Sequence, residues 1–381
     1  MKKNSSFVVG LAILLAVLLG GGGLYLYTQR TPGAQKPLNQ QPVRISCAGG
    51  SEKSELMADP DVKKLMQDKY GLAVDYASMG SYKQVMLTTE QIKAKGYECL
   101  WPSSASARSV FEAKHGSDFP GYRAATVLQS PEVIYSGPSA TEALKRAKLV
   151  TTNGAVNSLD IKGVLLNQIL ANGTWQKLKA GDLTGPVRIG STDARTSNSG
   201  FTLAQLELTV MATQDLSTPP TLAQARKALP TLRQVYETSG LQAASSDDGF
   251  RQWLLQGGEY SAPLYAGYEN QVIQHWIKNG RPDGLMKEIT MLYPNPTIYA
   301  DHPVLALEGD GGRLIEAMQD PEIQKIAWER YGFRSGTSAG INDVKTFDKL
   351  PLQARVRTIP APNADVTLAM LACLESEKNC A

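Results

Sequence analysis

The sequence predicts an α/β protein of two lobes joined by two hinge crossings and preceded by an N-terminal transmembrane helix. Three observations carry that expectation. Strand-like and helix-like stretches alternate from Val43 to His115, two long extended stretches interrupt the later rhythm, and an uncharged apolar run covers residues 7–27. Repeated strand–helix–strand units imply a parallel sheet with helical crossovers.

The N-terminal run comes first. Lys2 and Lys3 precede "FVVGLAILLAVLLGGGGLYLY", which is long enough to cross a hydrocarbon core of ~30 Å. Lysines before it and none directly after place the N-terminus in the cytoplasm and the remainder outside. No A-x-A site follows, and Tyr25 and Tyr27 sit where interfacial aromatics would, so a retained single-pass anchor in the cell membrane is expected. The alternative is secretion after signal cleavage at the small residues Gly20–Gly23. Arg44 and other polar residues precede Cys47, which excludes a lipoprotein acceptor there. Residues 28–42, "TQRTPGAQKPLNQQP", form a polar, proline-containing linker.

The first lobe opens on the strand "VRISCAGG" and a helical region broken near Pro60. A strand "LAVDYASMG", a helix "SYKQVMLTTEQIKAKG", a strand "YECLWPSS" and a helix "SASARSVFEAKHG" follow. "SPEVIYSGP" is the first crossing. Beyond it come helices from "TEALKRAKLV" and "DIKGVLLNQILAN", a short strand "GPVRIG", and the helix "FTLAQLELTVMA". The helices around "LAQARKALPTLRQVYETSG" and "DDGFRQWLLQGG" are next, then the strand, turn and helix of "SAPLYAGYENQVIQHWIKNG". "MLYPNPTIYADHPVLAL" returns as the second crossing, its prolines suited to an edge or crossing segment. The expected domains are a cytoplasmic terminus 1–6, the anchor 7–27, the linker 28–42, lobe 1 from 43–130 and lobe 2 from 131–290. Residues 291–381 supply the second crossing, the completion of lobe 1 and a C-terminal tail.

Composition narrows function. Of 381 residues, 42% are hydrophobic and 20% charged, as in globular proteins, and 39 Lys+Arg against 36 Asp+Glu leave a net charge of +3. That balance, without a basic stripe, argues against nucleic acid as a partner. The three histidines, His115, His275 and His302, are scattered without metal-ligand spacing, and no S-x-x-K or H-E-x-x-H pattern occurs. A non-enzyme with neither cofactor nor metal is expected. Of the four cysteines, Cys373 and Cys380 close a short loop and are the expected pair. Cys47 and Cys99 lie in strand-like runs, as free buried thiols or as a bridge if those strands are neighbours.

The candidate site is a set of loops at the carboxyl ends of strands, where open α/β sheets bind ligands. "AGGSEKSE", "MGSYKQ", "WPSSASA" and "STDARTSNSG" all place small hydroxyl residues at helix starts. The first N–H groups of a helix lack intrahelical partners and carry a partial positive charge, so such ends receive anions; each loop alone is equally a satisfied cap.

These loops, with "SPEVIYSGP", "YENQVI", "MLYPNPTIYADHPVLAL" and "IQKIAWERYGFRSG", occur in an order that resembles bacterial extracellular solute-binding proteins of the type II periplasmic-binding fold, in the branch related to molybdate- and phosphate-binding proteins. The resemblance spans about Val43 to Gly336 and implies a two-lobed clamp. It implies that Ser51, Ser81 and Ser104 face the cleft from one lobe and Thr196, Ser197, Asn198 and Tyr268 from the other, with Tyr135 along the hinge. Lys53 and Arg195 are candidate charge partners, each equally readable as a solvated side chain. The implied function is binding of a small anionic solute, an oxyanion or carboxylate, for ABC-type uptake or sensing. The rival is a tethered module that recognises a protein partner in an envelope complex, with Trp101, Tyr82 and Tyr268 as exposed anchors.

Overall fold

The computed structural model describes residues 41–240 and 242–380, and the stretch assigned above to an anchor and most of its linker lies outside them. No helix among the described residues is long and apolar enough to cross a membrane.

The chain alternates as its patterning predicts through the first lobe. Strands β1 (Val43–Gly49), β2 (Leu72–Ser78) and β3 (Tyr97–Trp101) pair in parallel in the order β2-β1-β3. Asp59 accepts from the N–H groups of Asp61 and Val62 and starts the helix Pro60–Tyr70, which Gly71 ends in the left-handed region. The stretch after β2, expected as one helix, is two. Ser81–Met86 ends at Leu87, and a Thr88/Gln91 capping box starts Thr89–Ala94 anew. Helix α1 (Ala105–His115) follows β3.

The first crossing is longer than its sequence suggested. β4 runs from Arg123 to Ser136 and is a member of both halves of a 10-stranded sheet. Beyond it come β5 (Val150–Asn153) and β6 (Val156–Leu159), a short helix Ile161–Val164 that widens into a π turn at Leu165–Ile169, and β7 (Ser191–Thr192). The expected strand "GPVRIG" is reduced to two isolated bridges, Pro186 to Thr174 and Gly190 to Tyr265; the proline and glycines leave too few consecutive ladder partners. Helix α2 (Asn198–Thr213), helix α3 (Leu222–Glu237), β8 (Gln242–Ala243) and helix α4 (Ser246–Leu255) follow. β9 (Leu264–Tyr268) passes directly into helix α5 (Glu269–Lys278). β10 (Thr290–Pro294) and β11 (Tyr299–Ala306) form the return crossing. β11 lies antiparallel to both β3 and β4, and β10 antiparallel to β4. β9 and the short β12 (Arg334–Ser335) also pair with β4, so the one long strand organises both halves.

Burial is distributed over several clusters. Ile45, Leu56, Val62, Leu128 and Ile323 fill one side of the first half, and Ile134, Leu144, Trp175, Val210 and Leu264 one side of the second. A third cluster joins residues far apart in the chain: Leu100 and Phe111 pack with Phe201 and Leu208 of α2, Leu229 of α3 and Met370 of the last helix, α6 (Ala364–Glu375). The two halves therefore meet through an apolar contact as well as through a polar cleft. Both cysteine pairs are disulfides. Cys47–Cys99 joins the neighbouring strands β1 and β3, and Cys373–Cys380 closes the C-terminal loop.

Candidate functional site

The loops after β1, β2 and β3 face the N-terminus of α2 and the start of α4 across a cavity of about 430 Å³. Ser51, Ser81, Ser197 and Asn198, all expected in the cleft, line it together with Glu52 and Ser103. Close approach of the two halves depends on Gly80, since a Cβ there would collide with the Thr196 carbonyl oxygen. Two helices present starts without side-chain caps: Gly80 before Ser81–Met86, and Ser197 before α2. The Ser197 hydroxyl is thus not engaged in capping its own helix.

Asn198 ties the cleft together. Its amide nitrogen donates to the Ser103 carbonyl at 2.7 Å and to the Tyr268 hydroxyl at 3.0 Å. A carbonyl can only accept, so the orientation of the amide is fixed, and its Oδ1 is left buried with no protein partner. Tyr268 is fully buried at the start of α5, reaching the cleft through Asn198. Ser104 instead caps α1, accepting from the N–H groups of Ser106 and Ala107. Thr196 donates its hydroxyl to the Asp193 carbonyl, and its backbone abuts Gly80. Neither Ser104, Thr196 nor Tyr268 is on the cavity wall.

Of the two candidate cations, Lys53 is buried and Arg195 is exposed to solvent. Lys53 is fully buried, with its ammonium 2.6 Å from Glu52 Oε1, 2.8 Å from Ser103 Oγ and 3.1 Å from His302 Nδ1. The reason is local: after Gly50 the chain enters the 3-10 turn Ser51–Lys53, which buries both charged side chains and sets the Lys53 ammonium over Trp101. Burial opposes ionisation of Glu52, yet the Lys53 ammonium beside it holds its carboxyl well below the usual range. Burial lowers Lys53, against the pull of Glu52, and burial with the Lys53 charge pushes His302 down to about 4. His302 is therefore neutral at pH 7. Its Nδ1 accepts from an ammonium that can only donate, which leaves the proton on Nε2. Arg195 is engaged elsewhere, in a two-bonded pair with Asp193 at 3.0 and 2.8 Å on the outside of the loop. The pair holds Asp193 down to about 2, although partial burial alone would raise it.

Sequence reasoning missed Glu52, Ser103 and His302 as parts of this site. The signal for His302 was a histidine inside the return crossing "YADHPVLAL". It also missed Glu132 and Asn270. Glu132 stands opposite Tyr268 in the β4–β9 ladder, is fully buried, and has no protein partner at either carboxyl oxygen. Asn270, whose backbone N–H donates to Ser130 Oγ, is likewise fully buried with neither side-chain polar atom bonded. Trp101 and Tyr82 are core residues, not exposed anchors. Among the described residues no cluster of His, Cys, Asp or Glu could hold a metal ion.

Solved structures share this α/β fold. The chain superposes on a periplasmic thiamin binding protein with a TM-score of 0.56 at 11% identity, over 92% of this chain and all of that one. It superposes on the substrate binding protein of an ABC transporter from Agrobacterium tumefaciens with a TM-score of 0.53 at 12% identity, over 92% of this chain and 100% of that one. For the sulfate-binding protein SubI from Mycobacterium tuberculosis the TM-score is 0.51 at 14% identity, over 83% of this chain and 94% of that one. No family model matches the sequence, and no curated protein matches it. The chain has the fold of the periplasmic solute-binding proteins, the type II architecture that the loop order implied.

Proposed function

We propose that this chain is a non-enzymatic extracytoplasmic solute-binding protein that clamps a small solute carrying an anionic group between its lobes, for ABC-type uptake or sensing. One observation carries the reading: the hydroxyls of Ser51 and Ser81 from one side and the Ser197 hydroxyl and Asn198 carboxamide from the other converge on one polar cavity, beside two uncapped helix starts. Preformed donors at helix ends favour an oxyanion or a carboxylate. Tethering through residues 7–27 belongs to the same proposal. The rival, a partner-recognition module, needs aromatic anchors on the surface; burial of Trp101, Tyr82 and Tyr268 speaks against it.

The test is a thermal-shift screen of the full chain with sulfate, molybdate, phosphate, citrate and amino-acid carboxylates at fixed ionic strength. A solute that binds only the folded state raises the midpoint in proportion to the logarithm of its concentration. The expected result is a dose-dependent rise that the double variant Ser51→Ala/Ser197→Ala removes. Absence of any response from folded protein would retire the clamp.

A further inference from the structure

A fully buried carboxyl with no partner is costly when ionised and is ordinarily found protonated or facing a cation. Glu132 is such a group. Neither oxygen has a protein hydrogen bond, and burial raises its pKa well above the usual carboxylate value. The buried lysine and arginine among the described residues are committed elsewhere: Lys53 to Glu52 at 2.6 Å, and Arg334 to Glu269 through two bonds of 2.7 and 2.8 Å.

The position of Glu132 gives its isolation a meaning. It lies on the first crossing strand directly across from Tyr268, whose hydroxyl holds Asn198 at the cavity wall. The His302 ring packs edge-on to the same tyrosine, with centroids 6.4 Å apart. Asn270 sits two residues after Tyr268, held by its N–H to Ser130 on the same face of β4 as Glu132. Around one tyrosine the fold thus gathers unpartnered buried acceptors on Glu132, Asn198 and Asn270, and unpartnered donors on Asn270 and His302 Nε2. Acceptors dominate. In the cavity beyond, the acids are balanced: Glu52 pairs with Lys53, Asp247 and Asp248 pair with Arg251, and Lys83 stands in the lining. A purely anionic solute would meet the Glu132 end of the cleft as repulsion and leave the acceptors unpaired.

We propose that the solute also carries a positively charged nitrogen group, held at the hinge end of the cleft by the Glu132 carboxylate with Asn198 Oδ1 and Asn270 Oδ1 as supporting acceptors, so that the ligand class is a small zwitterion. This rests on the cleft being the solute site. Asn198 on the cavity wall and Tyr268 behind it stand between that nitrogen and the cavity, and the hydroxyl-lined end with its uncapped helix starts takes the anionic group. Only a solute with both charges neutralises both ends of the cleft.

The experiment is isothermal titration of the full chain, wild type and Glu132→Gln, with three probe sets: zwitterions (glycine, glycine betaine, phosphocholine), amines (ethylammonium, 1,4-diaminobutane) and simple anions (acetate, sulfate). The proposal expects the tightest binding in the zwitterion set and on the order of 10- to 100-fold weaker binding by Glu132→Gln. Infrared spectroscopy gives a second readout, the loss of a protonated-carboxyl band on ligand addition to wild type but not to the variant. Binding confined to simple anions, or zwitterion binding unchanged in Glu132→Gln, overturns this inference and leaves the solute-receptor reading standing. Silence from all three sets, in protein that unfolds cooperatively, overturns both. Because glutamine is isosteric and removes a buried ionisable group, the variant is expected to fold at least as stably as wild type.

Discussion

The amide nitrogen of Asn198, at the start of the long helix of the second lobe, lies 2.7 Å from the carbonyl oxygen of Ser103, in the loop after the third strand of the first. This bond spans the cleft beside the cavity, so it reports lobe closure directly. Asn198→Ala should remove it and leave the Tyr268 hydroxyl without its donor, at a cost of about 1–3 kcal/mol to the closed form. The expected outcome in small-angle scattering is a larger radius of gyration for the variant than for wild type. Identical profiles, at equal stability, would mean that the bond does not hold the lobes.

Lys53 and Glu52 make a second prediction. Lys53→Met strips the only ammonium from a carboxylate sunk beneath the cavity, and removal of one partner of a buried pair costs about 3–5 kcal/mol. The double variant Glu52→Gln/Lys53→Met should recover most of that loss, because no lone charge remains. Urea denaturation of the two variants separates the effects. A single variant within about 1 kcal/mol of wild type would show that water reaches the pair in solution.

The pH dependence of stability follows from His302. Its folded-state pKa of about 4 lies below the unfolded value of 6.5, so between these two the unfolded chain takes up a proton that the folded chain refuses. Stability is full above pH 6.5 and is lost as pH falls, by about 3 kcal/mol once pH reaches 4. Glu52 acts in the same sense at lower pH, since its depressed pKa stabilises the fold above the unfolded carboxylate value and that contribution disappears as pH drops through the folded one. His302→Asn should flatten the slope between pH 6.5 and 4.5 in urea titrations. A slope unchanged by that substitution would assign the acid sensitivity elsewhere.

Much of this was legible from residues alone, and the gaps have physical reasons. The loops carrying Ser51, Ser81 and Ser197 could be read because small residues between a β-branched run and a helical period can hardly be anything but βα loops. The inward turn of Lys53 could not, because adjacent Glu and Lys at a helix start look like a solvated pair until the 3-10 turn after Gly50 is seen to bury them. Glu132 left a trace, an acid inside "SPEVIYS". Its isolation depends on which strand faces it, and pairing over more than a hundred residues is not written in local pattern. The apolar contact between the halves was equally invisible, since Tyr82 and Phe201 are ordinary core residues until their rings are seen 4.1 Å apart.

The C-terminal segment yields the last prediction. Helix α6 packs on α1 of the first lobe and on α3 from the chain between the crossings, so it contacts both sides of the clamp. Arg233 of α3 donates to the Leu374 carbonyl at 3.0 Å and also bonds the Cys373 carbonyl. Ser106 of α1 receives the Gln205 amide at 2.7 Å and donates to the Pro362 carbonyl at 3.1 Å. The helix thus acts as a clasp, and the Cys373–Cys380 disulfide secures its end. A crosslink over a separation of 7 residues stabilises by about 2–3 kcal/mol through the entropy of the unfolded chain. Cys373→Ala/Cys380→Ala should therefore lower stability by about that amount while leaving the Cys47–Cys99 bridge intact. If the clasp limits opening, the variant's lobes will also separate more readily, and amide hydrogen exchange should rise in α6 and in the facing turns of α1 and α3 together. Faster exchange confined to the last turn of α6 would make the disulfide a local staple with no bearing on the clamp.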